Sequence, residues 1–200
     1  MPAAPRFFVD VGSPYAWLAA ERVARGELGV EPVWEPVLLG AVFAARGFGS
    51  WSLTDARADG IAEVERRALA YGLPPVRWPD PWPGNYLLAM RCATAAAEAG
   101  RARDFLLAAL RAGFVEGRDL SDPAAVADAA TAVGIEGNEL LAAASTPAVK
   151  AALKERTDAA IALGVRGVPT VVVGDQTFWG DDRLFWGDDR LEDAASALQY

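Results

Sequence analysis

A chain with no histidine and with Cys92 as its one cysteine has few ways to do chemistry. The missing imidazole excludes Ser-His-Asp triads, histidine metal ligands and the usual general base near neutral pH. The lone thiol excludes an intramolecular disulfide, a CxxC redox pair and a cysteine-rich zinc site. Cys92 itself reads as an inert buried hydrophobe. What remains is a hydroxyl in a special place. Ser13 follows the run RFFVDV (residues 6 to 11) and Gly12, and precedes Pro14 and the stretch YAWLAAERVAR. This spacing predicts a short buried strand, a turn, and a helix with Ser13 as N-cap and Pro14 in the first turn. Backbone N–H groups and the dipole at a helix N-terminus favour an anion, and a hydroxyl donates one further hydrogen bond to it. A bound thiolate suits that place. Lowering a thiol's pKa by ~2 units takes roughly 2.7 kcal/mol of preferential stabilisation, and a hydrogen bond to a charged acceptor supplies about 1.5 to 3. Without a base to activate it, Ser13 is a donor to another molecule's thiolate rather than a nucleophile. It is also a helix cap, and the two roles are compatible.

The elements that position this serine follow from periodicity. Residues 32 to 39 (PVWEPVLL) read as a second strand, parallel to the first because a helix lies between them. From about residue 40 to 163 the chain turns alanine-rich and helical, with helices predicted at 40 to 46, 54 to 71, 85 to 99, 101 to 116, 122 to 133, 137 to 143 and 147 to 163. Residues 73 to 84 hold several prolines with Trp78 and Trp82 and predict a rigid loop. Strand character returns at 168 to 173, followed by a turn at Gly174-Asp175, a short strand through Phe178-Trp179 and a last helix. The segment FWGDDRL occurs twice in succession, at 178 to 184 and 185 to 191. Seven extra residues are almost two helical turns, so the added copy belongs after the strand, in or before the last helix.

The order strand, helix, strand, helical block, helix, strand, strand, helix is that of a thioredoxin fold with a helical insertion. Ser13-Pro14-Tyr15-Ala16 stands where redox members of that fold carry CxxC, and Gly167-Val168-Pro169-Thr170 stands where they carry a cis-proline loop. Together with WPDPWPGNYLLAMR at 78 to 91 and FWGDDRL, the chain resembles the 2-hydroxychromene-2-carboxylate isomerases and kappa-class glutathione transferases of the DsbA-like branch. The resemblance spans nearly the whole length. It implies an α/β fold with a thioredoxin-like domain at 1 to 39 and 147 to 200 and an inserted helical domain at 40 to 146. It implies Ser13 as catalytic residue, glutathione or another low-molecular-weight thiol as cofactor, and Val168 and Pro169 holding the cysteinyl part of that thiol. Asp181, Asp182 and Arg183 would hold its γ-glutamyl end. Asp188 to Arg190 duplicate that trio. Tyr15, Trp51, Trp82, Asn85 and Trp179 would wall the pocket of a small aromatic substrate, although tryptophans in such places also serve as plain core.

The sequence departs from the family pattern at Gly47-Phe48-Gly49-Ser50, where the family has a GN-x-x-P loop, and at Ala56 and Arg57, near which a lysine is expected. Both missing residues help hold glutathione in the family, so the thiol's identity stays open, with Arg57 a partial substitute for the lysine. The arginine-rich, lysine-poor composition is that of a GC-rich bacterial genome, and some such lineages use other thiols. Three readings follow: an isomerase, a kappa-type transferase, or a non-catalytic thioredoxin-like binding module. A net charge of −8 with scattered basic residues excludes nucleic acid as a partner class. No signal-peptide pattern and no bilayer-length apolar run are present, which predicts a soluble cytoplasmic protein with no membrane partner. Relatives often pair as homodimers, and the resemblance extends that expectation here.

Overall fold

The structure, a computed structural model, describes residues 4–179 and 190–198. β1 (Arg6–Val9) carries Phe7, Phe8 and Val9 fully buried, as expected of a strand covered on both faces. Ser13 then starts α1 (Pro14–Ala24) with extended backbone angles of φ −97° and ψ 116°, and its side chain accepts the Ala16 N–H. Every residue of α1 from Pro14 to Val23 is buried, so its charged side chains need partners. Arg111 clasps Glu21 with two bonds of 2.7 and 2.8 Å. Arg22 is held by Glu27 at 2.7 Å and by Glu192.

β2 (Val33–Pro36) pairs parallel to β1, with Phe7 opposite Trp34, and these two rings meet edge to face at 4.9 Å. β3 (Thr170–Val173) runs antiparallel to β1, and β4 (Gln176–Phe178) returns along β3. The sheet order is β2-β1-β3-β4. Between β2 and β3 lie α2 (Leu39–Arg46), α3 (Arg57–Ala70), α4 (Leu87–Glu98), α5 (Ala102–Phe114), α6 (Pro123–Thr131), α7 (Gly137–Ala144) and α8 (Pro147–Ala162). α9 (Leu191–Ala197) closes against β3 and β4. This is the thioredoxin-like fold with a large helical insertion. Within it α4 and α5 touch β2, while α5 also packs on α1.

The helix starts explain where the boundaries fall. α6 and α8 repeat the device of α1: Asp122 and Thr146 cap, and Pro123 and Pro147 follow. The helix predicted from residue 54 begins later, because Ser50 caps a 3₁₀ turn at Trp51–Leu53 and Thr54 Oγ1 then accepts from Ala56 N at 3.3 Å. α4 starts at Leu87 because Asn85 Oδ1 accepts the Leu87 N–H at 3.2 Å. α2 has no cap from its own N-cap residue, Leu38. The loop 73–84 is tied down by burial of Leu73 and Trp82, and its Asp80–Pro81 and Trp82–Pro83 bonds are cis. Expectations for residues 180 to 189, including the place of the extra FWGDDRL copy, lie outside the described residues. No described helix is long and apolar enough to cross a membrane.

Candidate active site

A cavity of about 450 Å³ opens above the C-terminal end of β1, within the range typical of small-molecule sites. Its floor is the β1–α1 turn with Asp10, Gly12 and Ser13, and Val168 borders it. One wall is the start of α2 with Leu38, Leu39 and Phe43. The other is aromatic, made by Tyr15, Trp51, Trp82 and Tyr86. The aromatic wall is continuous: Tyr15 and Trp51 centroids lie 6.1 Å apart, Trp51 and Trp82 5.4 Å, and Trp82 and Trp78 4.6 Å. Trp78 stands behind this wall and does not line the cavity.

Ser13 is 4% exposed. Its Oγ accepts from Ala16 N at 3.2 Å and donates to Val168 O at 3.4 Å. The second bond is long, so the hydroxyl proton is weakly committed and free to turn toward a ligand. The Val168–Pro169 bond is cis, and Ser13's hydrogen bond reaches across to that peptide. Ser13 and Val168, distant in sequence, are thus brought to one edge of one cavity, while Pro169 is buried next to Val168 and does not line it.

Glycines give the rings their seats. A Cβ at Gly60 on α3 would lie 2.3 Å from ring carbons of Trp51, and one at Gly12 would lie 2.4 Å from the Tyr86 ring. Trp179 is placed differently from the expectation of a pocket wall. Its indole lies where a Cβ of Gly167 would be 2.7 Å from Nε1, and it braces the cis-proline loop rather than bordering the cavity. Asn85 lines the cavity and is exposed, while its oxygen starts α4. Arg57 donates to Ser52 O at 3.1 Å and lies 5.0 Å from the centroid of the Trp82 ring, so it stiffens the aromatic wall from outside. Asp181, Asp182 and Arg183 lie outside the described residues.

Asp10 is the residue that sequence reasoning passed over. It is 5% exposed, and its Oδ1 accepts from Gly12 N and its Oδ2 from Leu39 N, both at 2.8 Å. It therefore supplies the missing N-terminal cap of α2 and ties that wall to the cavity floor. Burial pushes its pKa up to about 6, and the two N–H bonds oppose that rise. The available signal was an acid directly after the apolar residues Phe7, Phe8 and Val9. Its partner Leu39, 29 residues on, carried none. Among the described lining residues Asp10 is the one side chain that carries charge near neutral pH. Cys92 has no part in the site: it is buried on α4, and burial pushes its thiol up to about 12.

A four-stranded mixed sheet, a capped helix aimed at a cavity and a facing cis-proline define a thioredoxin-like protein, and residues 6–199 match the model of the DSBA-like thioredoxin domain. The chain belongs to that family. Among solved structures it is similar to a 2-hydroxychromene-2-carboxylate isomerase at 24% identity and TM-score 0.80, covering 98% of this chain and 94% of that one. It is also similar to the cytosolic disulfide reductase DsbM from Pseudomonas aeruginosa, solved with glutathione (GSH), at 18% identity and TM-score 0.63, covering 98% of each chain. At these identities the likeness establishes the fold. Comparison with curated proteins finds no match.

Proposed function

We propose that this protein is a thiol-dependent isomerase of a small conjugated aromatic acid, working with glutathione or another low-molecular-weight thiol in the manner of 2-hydroxychromene-2-carboxylate isomerases. One observation carries the reading: the Ser13 hydroxyl, at the N-terminus of α1, faces an aromatic cavity beside the cis Val168–Pro169 peptide, where a redox relative would need a cysteine. The cavity's volume and the weakly committed Ser13 proton fit a thiol cofactor. When bound, the thiol supplies a nucleophile that adds reversibly to a conjugated carbon, so that a double bond becomes free to rotate.

The chain's own contribution is positional and electrostatic. Ser13 Oγ donates toward the sulfur, and the α1 N-terminus adds its dipole. The Val168–Pro169 backbone offers an edge for an extended peptide-like cofactor. Asp181, Asp182 and Arg183 are proposed for its γ-glutamyl end. Trp51, Trp82 and Tyr15 take the substrate's ring. The apolar and aromatic lining suits the substrate's conjugated portion.

The test is product analysis with a ring-opened hydroxybenzylidene-pyruvate-type substrate and glutathione. Isomer formation with full recovery of free thiol is the expected result. Accumulation of a thioether conjugate would instead establish a kappa-type transferase. Absence of both, with no thermal stabilisation by any thiol, would leave a binding module, because a ligand at 100 times its Kd adds about 2.7 kcal/mol.

A further inference from the structure

Asp10 precedes Ser13 by one turn of chain, and the turn is closed by Ser13 N donating to Asp10 O at 3.2 Å. Its carboxyl group therefore shares the cavity floor with the Ser13 hydroxyl. Each carboxylate oxygen takes one backbone N–H, from Gly12 or Leu39, and each retains a lone pair. Capping alone explains this choice of residue poorly. The chain caps α1 and α8 with neutral hydroxyls, and it uses Asp122 as a cap where water reaches it. Placing an ionisable cap in the buried floor of a cavity costs desolvation that a serine would avoid.

The surroundings leave Asp10 poised to take a proton. Among the described residues, Tyr15 and Tyr86 are the other titratable side chains lining the cavity, and burial pushes Tyr86 up to about 12, so it stays neutral. The charged groups on α1, α2 and β2 are engaged elsewhere. On α2, Arg46 donates to Ile161 O. On β2, Glu35 is held by Arg6 and Arg156. On α1, Glu21 is held by Arg111, and Arg22 by Glu27 and Glu192. β3 carries no charged residue.

We propose that Asp10 is the proton acceptor for the thiol bound at Ser13. The S–H bond breaks, the proton forms an O–H bond on the Asp10 carboxyl, and the electron pair stays on sulfur. The site then carries one negative charge before and after, instead of two anions crowded into one apolar cavity. Asp10 returns the proton when the thiol departs. A pKa raised to about 6 by burial leaves Asp10 ionised but readily protonated at neutral pH. The inference rests on the reading that Ser13 stabilises a thiolate.

Counting protons tests it, and the count is clean because the chain has no histidine. Glutathione is titrated calorimetrically in buffers of different ionisation enthalpy, while the ultraviolet absorbance of the thiolate is followed. Between the pKa of Asp10 and that of the free thiol, the wild-type protein is expected to form thiolate with no proton released. Asp10→Asn is expected to release one proton for each thiolate formed. S-methylglutathione, which has no thiol proton, is expected to show no difference between the two proteins. One proton released by the wild type in that interval overturns the proposal, even if Asp10→Asn does not fold. Glutathione that fails to bind, or binds without ionising, removes the Ser13 reading and this inference together. Ionisation with one proton released removes only the role of Asp10.

Discussion

Replacing Ser13 separates its two tasks. Its Oγ accepts the Ala16 N–H at 3.2 Å, which is the capping task, and its weakly engaged proton is the one offered to a ligand. Alanine removes both. Glycine also removes the donor, but as an N-cap it costs only a few tenths of a kcal/mol, against about 1 kcal/mol for alanine. Ser13→Ala should therefore lower the melting temperature by about 2–4 °C for a chain of this size, and Ser13→Gly by a fraction of that. The effect on a bound thiol should be alike in both variants. A hydrogen bond to a charged acceptor supplies about 1.5 to 3 kcal/mol, so its loss should raise the titration midpoint of bound glutathione by about 1–2 pH units. The assay is thiolate absorbance against pH at saturating glutathione, beside thermal melts of all three proteins. An unmoved midpoint would refute the donor role. So would a midpoint that follows stability, large in Ser13→Ala and small in Ser13→Gly, since Ser13 would then act only as a cap.

Asp10 should be visible in stability against pH. Its folded-state pKa is raised from 3.8 to about 6, so the folded chain holds more protons than the unfolded one in that window. The associated stability is present at acid pH and lost as pH rises through about 6. Two pKa units are worth about 3 kcal/mol, so denaturant midpoints should show Asp10→Asn gaining roughly that much on the wild type across the window; a constant difference refutes the assignment. Gly60→Ala adds a good helix former to α3, yet its Cβ would meet Trp51 at 2.3 Å. It should lower the melting temperature and change tryptophan emission, and a rise in melting temperature would show that Trp51 yields freely. Cys92, with its thiol pushed up to about 12, should resist an aromatic disulfide reagent until the chain unfolds, and Cys92→Ala should keep thiol-dependent turnover.

The element order was legible because the chain punctuates itself chemically. Ser13-Pro14, Asp122-Pro123 and Thr146-Pro147 each announce a helix start, and the run RFFVDV at residues 6 to 11 contains the strand β1 with its buried Phe7, Phe8 and Val9. Ser13 was legible for the same reason, since its cap partner lies three residues away. What was not legible depends on contacts between remote segments. The bond from Leu39 to Asp10 spans 29 residues and has no local pattern. The resemblance puts Trp179 in a pocket wall, but only the fold shows its indole lying on Gly167. Leu38, Leu39 and Phe43 joined the cavity because α2 is tied to the floor through Asp10.

The seating of rings on glycines has an evolutionary consequence. Where Trp51 rests on Gly60, and Tyr86 on Gly12, the glycine cannot gain a side chain until the ring beside it becomes smaller. A lineage moving toward a bulkier substrate would exchange Trp51 for a smaller side chain first, which then releases position 60 to accept alanine. The opposite order passes through a strained intermediate. Substrate range in this protein should therefore shift in coupled steps, and a library that varies positions 51 and 60 together will reach cavity shapes that single substitutions cannot.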